Sequence, residues 1–264
     1  MGWRLPRVRL PGPVVRWIYR SYGRNLVREI RSAPVPGHVG FILDGNRRHA
    51  KSLGRLPWEG HRLGSDTVEA LVEWGREIGV RTMTLYAFST ENFSRAAEEV
   101  ETLMALFAHR LTDLASDSRI LDNGVQVRVL GRLEMLPADV LEAIRLVENA
   151  TKDFDSYRLN FCIAYGGRQE ILDAFQKILT KVEQGELERE AIDEQVLGNH
   201  LYTGGDDPDL IIRTGGEARL SNFLLYQAAY SELFFTDVYF PSFRRIDFFR
   251  IIRNYQRRQR RFGK

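Results

Sequence analysis

The stretch that says most about fold and site is Val39-Gly40-Phe41-Ile42-Leu43-Asp44-Gly45-Asn46-Arg47-Arg48. It opens with an apolar run typical of a buried strand, which ends abruptly in an acid, a glycine, an amide and two arginines. In open α/β sheets, ligands bind in the crevice beyond the carboxyl ends of the strands. The stretch therefore predicts a strand that carries a polar, ligand-facing loop at its carboxyl end.

The residue types in this loop suit a metal and a diphosphate. The Asp44 carboxylate can hold Mg²⁺, while guanidiniums and backbone N–H groups suit phosphate oxygens. Together they predict a magnesium-dependent diphosphate site. The alternative is an ordinary polar turn between a strand and a helix, because Asp-Gly and Gly-Asn are common turn pairs.

Outward from this stretch, apolar strand-like runs alternate with helical patterns. Strands are predicted over residues 39–43, 80–88, 125–130, 158–164 and 210–213, and helices over residues 64–79, 98–121, 138–151 and 169–181. Residues 223–229 are predicted to be a late helix or a buried segment. This rhythm predicts an α/β fold in which helices flank one mostly parallel sheet. We find no second domain boundary, so residues 37–264 are predicted to form one domain after an N-terminal segment, residues 1–36.

Composition narrows the class of protein. The chain of 264 residues is 44% hydrophobic, ample for a core, and carries one cysteine, Cys162. A single thiol excludes an internal disulfide framework and fits a reducing compartment, and its apolar surroundings predict a buried, inert side chain. No apolar run approaches the roughly 20 residues that span a bilayer, and Pro6, Pro11 and Pro13 interrupt any signal-peptide core. We therefore expect a cytoplasmic protein.

The N-terminal segment is strongly basic. Residues 1–32 contain 8 arginines against one acid, Glu29. Within residues 14–30, arginines recur every four residues at Arg16, Arg20, Arg24 and Arg28. This pattern predicts a basic amphipathic helix that contacts an anionic membrane surface. The alternative is a helix that packs on the domain and leaves its arginines in water.

Two further polar segments follow predicted strands, at residues 89–95 and 213–222. In the second, Arg213, Arg219 and Ser221 surround a flexible Gly-Gly turn. Arg213 and Arg219 could clamp a diphosphate, each charge-assisted hydrogen bond contributing about 1.5–3 kcal/mol. The alternative is a surface turn with solvated side chains. Three polar loops that follow three strands favour one shared phosphate site.

From His38 to Gly263 the chain resembles the cis-prenyltransferases, the undecaprenyl diphosphate synthase family. The resemblance rests on seven segments in family order. They are H-V-G-F-I-L-D-G-N-R-R-H-A, G-H, L-Y-A-F-S-T-E-N-F, Y-G-G-R, D-L-I-I-R-T-G-G-E-A-R-L-S-N-F, Y-S-E-L-F-F and R-R-F-G. The order of so many segments makes the resemblance specific.

The resemblance implies an enzyme that adds isopentenyl diphosphate repeatedly to an allylic diphosphate primer, making cis double bonds and releasing pyrophosphate. Asp44 is implied to be the central acid that places Mg²⁺ on the diphosphates. The allylic diphosphate is implied to lie on Gly45, Asn46, Arg47, Arg48 and His61. Without the resemblance, a lone histidine such as His61 would more often be structural.

Further roles follow from the same matching. Arg213, Arg219 and Ser221 are implied to hold isopentenyl diphosphate, with Glu232 as a second metal acid. The reacting centre is implied to be lined by Ser89, Asn92 and Arg95. Glu99 matches another family acid, although a charge that stabilises a helix N-terminus explains it nearly as well.

The family carries its growing product in an apolar tunnel between sheet and helices. Candidate wall residues are Leu85, Leu103, Phe107 and Leu111, each equally explicable as core packing. In the family a bulky residue at the position of Ala87 goes with short products, so its small size favours a medium or long polyprenyl product. Pro57 stands where an arginine that contacts phosphate is common, which leaves primer preference open.

The C-terminal residues bear on assembly. Arg261 and Gly263 match a terminal Arg-x-Gly that reaches across the family's dimer interface, so the resemblance implies a catalytic homodimer. A non-catalytic partner subunit, the alternative within the family, lacks the Asp-Gly-Asn loop that this chain keeps. A nucleic-acid-binding protein with two basic ends is the alternative outside it. No nucleic-acid-binding module is recognisable and the body of the chain is not basic, so nucleic acid is not expected as a partner.

The acidic cluster Asp206-Asp207-Pro208-Asp209 superficially resembles the metal-binding motifs of the all-helical trans-prenyl synthases. It contains a proline, precedes a predicted strand and has no second copy. We therefore predict a turn there.

Overall fold

A parallel sheet organises the part of the chain that the computed structural model describes, residues 23–258. Its strands are β1 (His38–Ile42), β2 (Thr82–Ser89), β3 (Val125–Leu130), β4 (Tyr157–Tyr165), β5 (Leu210–Arg213) and β6 (Glu232–Phe235). They lie in the order β3-β4-β2-β1-β5-β6, and each neighbouring pair is parallel. The predicted α/β fold with a mostly parallel sheet is confirmed.

Helices connect and flank the strands. They are α1 (residues 23–31), α2 (Asn46–Ser52), α3 (Pro57–Ile78), α4 (Ala97–Leu114), α5 (Ser118–Leu121), α6 (Ala138–Thr151), α7 (Gly167–Glu183), α8 (Glu194–His200) and α9 (Arg245–Arg257). The prediction of one long helix over residues 98–121 is wrong, because residues 115–117 interrupt it between α4 and α5. Asp117 caps α5 there, its carboxylate accepting a hydrogen bond of 2.8 Å from the backbone N–H of Arg119.

The core lies on both faces of the sheet. All five residues of β1 are buried, as expected for a strand of a parallel sheet covered by helices on both sides. The Phe41 ring packs against Phe243 and Phe248, with centroids 6.0 and 5.8 Å apart. Cys162 in β4 is fully buried, and burial raises the pKa of its thiol. It is therefore the inert side chain that the sequence predicts.

Residues 223–229 and the acidic cluster also have defined places. The first segment is a buried turn and not a regular α-helix: Phe223 and Leu224 are fully buried and a short 3-10 helix follows at Gln227–Tyr230. Asp206 lies at the amino edge of the sheet, in a stretch without regular structure, where its carboxylate is 3.3 Å from Arg158. The acidic cluster is thus not helical, but it is an irregular connection with a single bend and not the predicted turn.

The helix α1 packs on the body of the domain. Leu26 and Ile30 are buried in the main core, and the amide of Gln256 donates to the carbonyl of Ile30 over 2.8 Å. For residues 23–31, the structure thus agrees with the alternative of a packed helix with exposed arginines. The earlier part of the predicted amphipathic helix lies outside the described residues. Between residues 23 and 258, no helix combines the length and apolar character needed to cross a membrane.

Candidate active site

Three polar loops meet at the carboxyl edge of the sheet. The loop after β1 carries Asp44, the loop after β2 is residues 89–95, and the loop after β5 is residues 213–222. Because β1 lies between β2 and β5, the carboxyl ends of all three strands are neighbours. The structure thus brings together the three segments that the sequence analysis singled out.

Asp44 lies between two guanidiniums. Arg213 donates to its Oδ2 over 2.8 Å and Arg48 donates to its Oδ1 over 3.0 Å. Partial burial alone would raise the pKa of the Asp44 carboxyl, but the hydrogen bonds and charges of these arginines outweigh it and hold the pKa below its ordinary value. Asp44 is therefore a carboxylate at neutral pH, in a setting of positive charge.

Arg213 organises the loop that follows β5. Its side chain is only 4% exposed, and besides Asp44 it donates to the carbonyl of Arg219 and to Oγ of Ser221, both over 2.6 Å. Ser221 and Asn222 have left-handed backbone conformations, with φ of 50° and 64°. Such conformations are unfavourable for these residue types and persist only where surrounding contacts impose them. The buried guanidinium of Arg213, which donates to Ser221, is one of the contacts that impose the left-handed conformation.

Gly45 allows the chain to leave β1 at a sharp angle. Its φ is 104°, and a Cβ there would lie 2.7 Å from a ring carbon of Tyr239 and 3.0 Å from that residue's backbone. Only glycine meets both conditions. Tyr239 also lies beneath Arg48, whose guanidinium is 5.5 Å from the ring centroid. This tyrosine was missed from the sequence, because no motif connects it to the loop.

Asn46 is held against α3 by two glycines. Its Nδ2 donates to the carbonyl of Leu43 over 3.0 Å. A Cβ on Gly60 would lie 2.1 Å from the backbone oxygen of Asn46, and one on Gly64 would lie 2.4 Å from its Oδ1. That Oδ1 is buried without a hydrogen-bond partner. The start of α2 therefore sits directly on the glycine face of α3.

The Glu99 carboxylate contacts three of the predicted site residues, Arg95, His61 and Arg47. Its Oε1 is 3.0 Å from Arg95, 3.4 Å from His61 and 3.7 Å from Arg47. Glu99 is 6% exposed and lies in the first turn of α4, so the helix N-terminus and the site both account for its position. Burial, with the charge of Arg95, lowers the pKa of His61, which is therefore a neutral imidazole at pH 7.

The loop after β2 is a tight turn. Asn92 accepts a hydrogen bond of 3.1 Å at its Oδ1 from the backbone N–H of Ser89. A short 3-10 helix, Thr90–Ser94, then brings Arg95 back so that its guanidinium lies 6.0 Å from the Phe88 ring centroid. Ser89, Asn92 and Arg95 are thus held as one unit beside the Asp44 loop.

Arg219 and a residue missed from the sequence occupy the outer rim. Arg219 is 61% exposed and pairs with Glu217 over 2.7 Å, and Glu217 is also 3.6 Å from Arg48. Glu217 thus links the loops after β1 and β5. In the sequence, the only indication of this role is that Glu217 lies between Gly216 and Arg219 in the polar segment after β5.

Other predicted residues are not brought together here. Glu232 is paired in register with Leu210, and through it with Val39, at the amino end of the sheet. Since strands rise about 3.3 Å per residue, Glu232 lies roughly 16 Å along the strand direction from Asp44. Its carboxylate contacts Arg258. Within one chain, Glu232 therefore lies too far from Asp44 for the two carboxylates to bind the same metal ion. Arg261 and Gly263 lie outside the described residues.

An apolar cavity of about 310 Å³ begins beside the site, at Asn46 and His61. It runs between α3, α4 and the sheet. Its wall includes Ala87, Leu103, Phe107 and Leu111. Leu85 is not part of the wall: it is fully buried in the core of the sheet. The predicted apolar tunnel therefore has a counterpart in the structure, with Leu85 as the exception among its predicted wall residues.

Known proteins resemble this chain over nearly its whole length. Residues 42–263 match the prenyltransferase family model described as undecaprenyl diphosphate synthase. Two relatives are curated as geranylgeranyl-diphosphate-specific tritrans,polycis-undecaprenyl-diphosphate synthases. The one from Thermococcus kodakarensis is 51% identical over 97% of either chain. The one from Pyrococcus abyssi is 53% identical over 93% of this chain and 94% of its own.

A solved structure shares the fold. The crystal structure of lavandulyl diphosphate synthase from Lavandula x intermedia, in complex with dimethylallyl diphosphate, is 34% identical in sequence. It superposes with a TM-score of 0.83 over 87% of this chain and 99% of its own.

Proposed function

Since the chain belongs to the undecaprenyl diphosphate synthase family of cis-prenyltransferases, we propose that it extends geranylgeranyl diphosphate with isopentenyl diphosphate to tritrans,polycis-undecaprenyl diphosphate. The chain is a prenyltransferase that makes a polyprenyl diphosphate. The identity of the primer and the length of the product are what we propose. The proposal for both rests on the activity of relatives that match this chain over nearly its whole length. Neither a non-catalytic subunit nor a nucleic-acid-binding protein is favoured.

The observation that supports this proposal most directly is the position of Asp44. Its carboxylate contacts Arg48 and Arg213 and lies beside the opening of an apolar cavity. We propose that Gly45, Asn46, Arg47 and Arg48, with His61, bind the diphosphate of the primer, whose hydrocarbon enters the cavity. Backbone N–H groups and guanidiniums are suited to that charge. Arg213, Arg219 and Ser221 are proposed to bind isopentenyl diphosphate on the other side of Asp44.

The residues present fit a magnesium ion shared with substrate. Among residues 23–258, no group of three or more histidine, cysteine, aspartate or glutamate side chains could hold a metal by itself. Mg²⁺ is commonly held by one or two carboxylates together with substrate phosphates, and Asp44 supplies one carboxylate at the diphosphate loop. When bound, the ion would stabilise the negative charge that develops on departing pyrophosphate.

The condensation breaks the allylic carbon–oxygen bond of the primer and forms a carbon–carbon bond to isopentenyl diphosphate. The electron pair of the broken bond leaves with pyrophosphate, and a proton is lost from the isopentenyl unit. We propose that Arg48 and Arg213 hold the two diphosphates on either side of Asp44 so that the reacting carbons meet. Ser89, Asn92 and Arg95, on the neighbouring loop after β2, then orient the isopentenyl unit.

Gly60→Ala is expected to disturb the loop that holds Asn46. The added Cβ would lie 2.1 Å from a backbone oxygen, so α2 itself must move. Crowding of this kind costs about 1–3 kcal/mol of stability, and a displacement of about 1 Å near reacting groups costs on the order of 10²-fold in rate. Thermal unfolding and steady-state kinetics measure both effects.

The matched control is Gly198→Ala in α8, where the nearest atom to an added Cβ is 4.0 Å away. This variant should keep normal stability and turnover. If Gly60→Ala behaved like the control, the tight contact between α2 and α3 would not position the loop.

We propose a homodimer. β6 is the edge strand of the sheet, and Leu233 and Phe235 on it are exposed, as is Tyr230 just before it. An exposed apolar edge strand is a template for pairing with another chain, and Arg261 and Gly263 match the family's cross-subunit motif. Analytical ultracentrifugation tests this, and a monomer that is fully active at assay concentration contradicts it.

We also propose peripheral contact with anionic membranes by a cytoplasmic protein. Arg24, Arg28, Arg31 and Arg245 line one surface depression together with Glu77. Clustered arginines near a bilayer attract acidic lipid headgroups. Flotation with phosphatidylglycerol vesicles tests the contact. Equal flotation with purely zwitterionic vesicles would show that the charge of this depression plays no part.

The proposed reaction is tested with Mg²⁺, labelled isopentenyl diphosphate and primers of ten, fifteen and twenty carbons supplied separately. The expected result is a product ladder with one dominant undecaprenyl species, cis at the new double bonds, formed fastest from the twenty-carbon primer. A preference for a shorter primer would contradict the primer assignment alone. A much shorter dominant product would contradict the length.

A further inference from the structure

The far end of the apolar cavity is crossed by a chain of ion pairs. Arg110 on α4 contacts Asp66 and Glu69 on α3, over 2.7 and 3.1 Å. Glu69 also contacts Arg119 on α5 over 3.0 Å. We call these four residues the distal bridge. Three of them, Glu69, Arg110 and Arg119, line the cavity itself, opposite the end at Asn46 and His61.

The cavity is too short to contain a long product in extended form. Its wall on α3 runs from His61 to Glu73, about 18 Å at 1.5 Å per residue. With carbon–carbon bonds of about 1.5 Å, an extended isoprene unit advances roughly 5 Å. The cavity therefore holds about four units, the length of the primer proposed above.

The distal bridge is too weak to be a fixed floor. All four side chains are partly or largely exposed to solvent, from 32% for Arg110 to 64% for Asp66. Exposed ion pairs contribute little to stability, because water screens the charges and both side chains lose freedom. In addition, α4 and α5 are separate helices joined by residues 115–117, so Arg110 and Arg119 are carried by different elements.

From these observations we propose that the distal bridge is an exit gate: products longer than about four isoprene units pass out of the cavity between α3 and the ends of α4 and α5, displacing the Glu69–Arg119 contact. This inference rests on the proposed function, since it concerns where a product longer than its primer goes. It assigns Glu69 and Arg119 to product length, although neither lies near the reacting carbons.

The gate can be locked reversibly. In the double variant Glu69→Cys/Arg119→Cys, a short bis-maleimide with a disulfide in its spacer would tie α3 to α5. The natural thiol, Cys162, is fully buried and does not compete. Cross-linking is expected to shorten the dominant product by several isoprene units, toward the length that the cavity holds. Cleaving the spacer with a reductant should restore the original length.

The matched control is Glu29→Cys/Arg257→Cys, treated identically. It replaces another ion pair between two helices, 2.8 Å apart, whose residues do not line the cavity. Its product should keep the wild-type length before and after reduction. Mass spectrometry is used to check that each variant carries one cross-link per chain.

Two outcomes would overturn the gate. One is an unchanged product from the cross-linked enzyme. The other is a product longer than wild type from the double variant before cross-linking, which would make the distal bridge a floor that sets length by blocking. Failure of the proposed function is distinguishable, because the wild-type chain would then make no undecaprenyl product in the same assay.

Discussion

Asp44→Asn is expected to abolish condensation while leaving the protein folded. The amide keeps the shape of the side chain but carries no charge, and its nitrogen must face one of the guanidiniums of Arg48 and Arg213, which contact both carboxylate oxygens. A neutral amide is also a poor ligand for Mg²⁺, which prefers charged oxygen. Loss of a preorganised charge at a reacting centre, together with loss of a metal ligand, predicts a fall in kcat of roughly 10³-fold or more.

The matched control is Asp207→Asn, an exposed carboxylate in the acidic cluster before β5. It should turn over like the wild type. Both variants are compared by labelled isopentenyl diphosphate incorporation and by thermal unfolding. A kcat for Asp44→Asn within roughly tenfold of wild type, which is about 1.4 kcal/mol of transition-state stabilisation, would remove Asp44 from the proposed mechanism.

Arg213→Met is expected to give the second largest loss. The substitution keeps length and apolar bulk but removes the guanidinium that contacts Asp44, Ser221 and the carbonyl of Arg219. We expect kcat/KM for isopentenyl diphosphate to fall by about 10²- to 10³-fold. Arg213→Lys should retain only part of the wild-type kcat/KM, because one ammonium cannot reproduce the several donors of a planar guanidinium.

A pH profile separates this role from a merely structural one. Burial raises the pKa of Asp44, and hydrogen bonding by Arg213 is the largest of the effects that lower it. In Arg213→Met the pKa of Asp44 should therefore rise, and the acidic limb of the kcat/KM profile should move to higher pH. The control is Arg158→Met, which loses a contact of 3.3 Å to Asp206 at the opposite edge of the sheet. An unshifted acidic limb in Arg213→Met would mean that Arg213 does not tune Asp44.

Much of the fold follows from local pattern. Apolar runs that end in glycine or polar residues marked β1 to β5, since a strand buried on both faces has a continuous apolar sequence. The same logic placed Asp44 beside Arg213, because both follow strands whose carboxyl ends share an edge. The break after α4 was less visible: apolar residues continue through Ile120, and only Asp117 signals a new helix cap.

Other features depend on packing that a single sequence does not carry. β6 has only four residues, three of them apolar, and so short a run does not mark a strand. Without β6, the sequence gives no indication that Glu232 begins a strand and lies at the amino edge. Leu85 was indistinguishable from the true cavity wall because an apolar side chain suits a core and a tunnel equally. The contact of Asn46 with Gly60 and Gly64 required the crossing of α2 and α3 to be known.

The contact between Asp44 and Arg213 joins residues 169 positions apart. Closing so large a loop is entropically unfavourable until the intervening strands are paired, and parallel pairing of distant segments is slow. A chain still being synthesised therefore carries the complete diphosphate loop after β1 long before the loop has its anchor. Chemical competence arises only when β5 inserts beside β1, so the enzyme cannot act on its reactive substrates while most of its sheet is still unpaired.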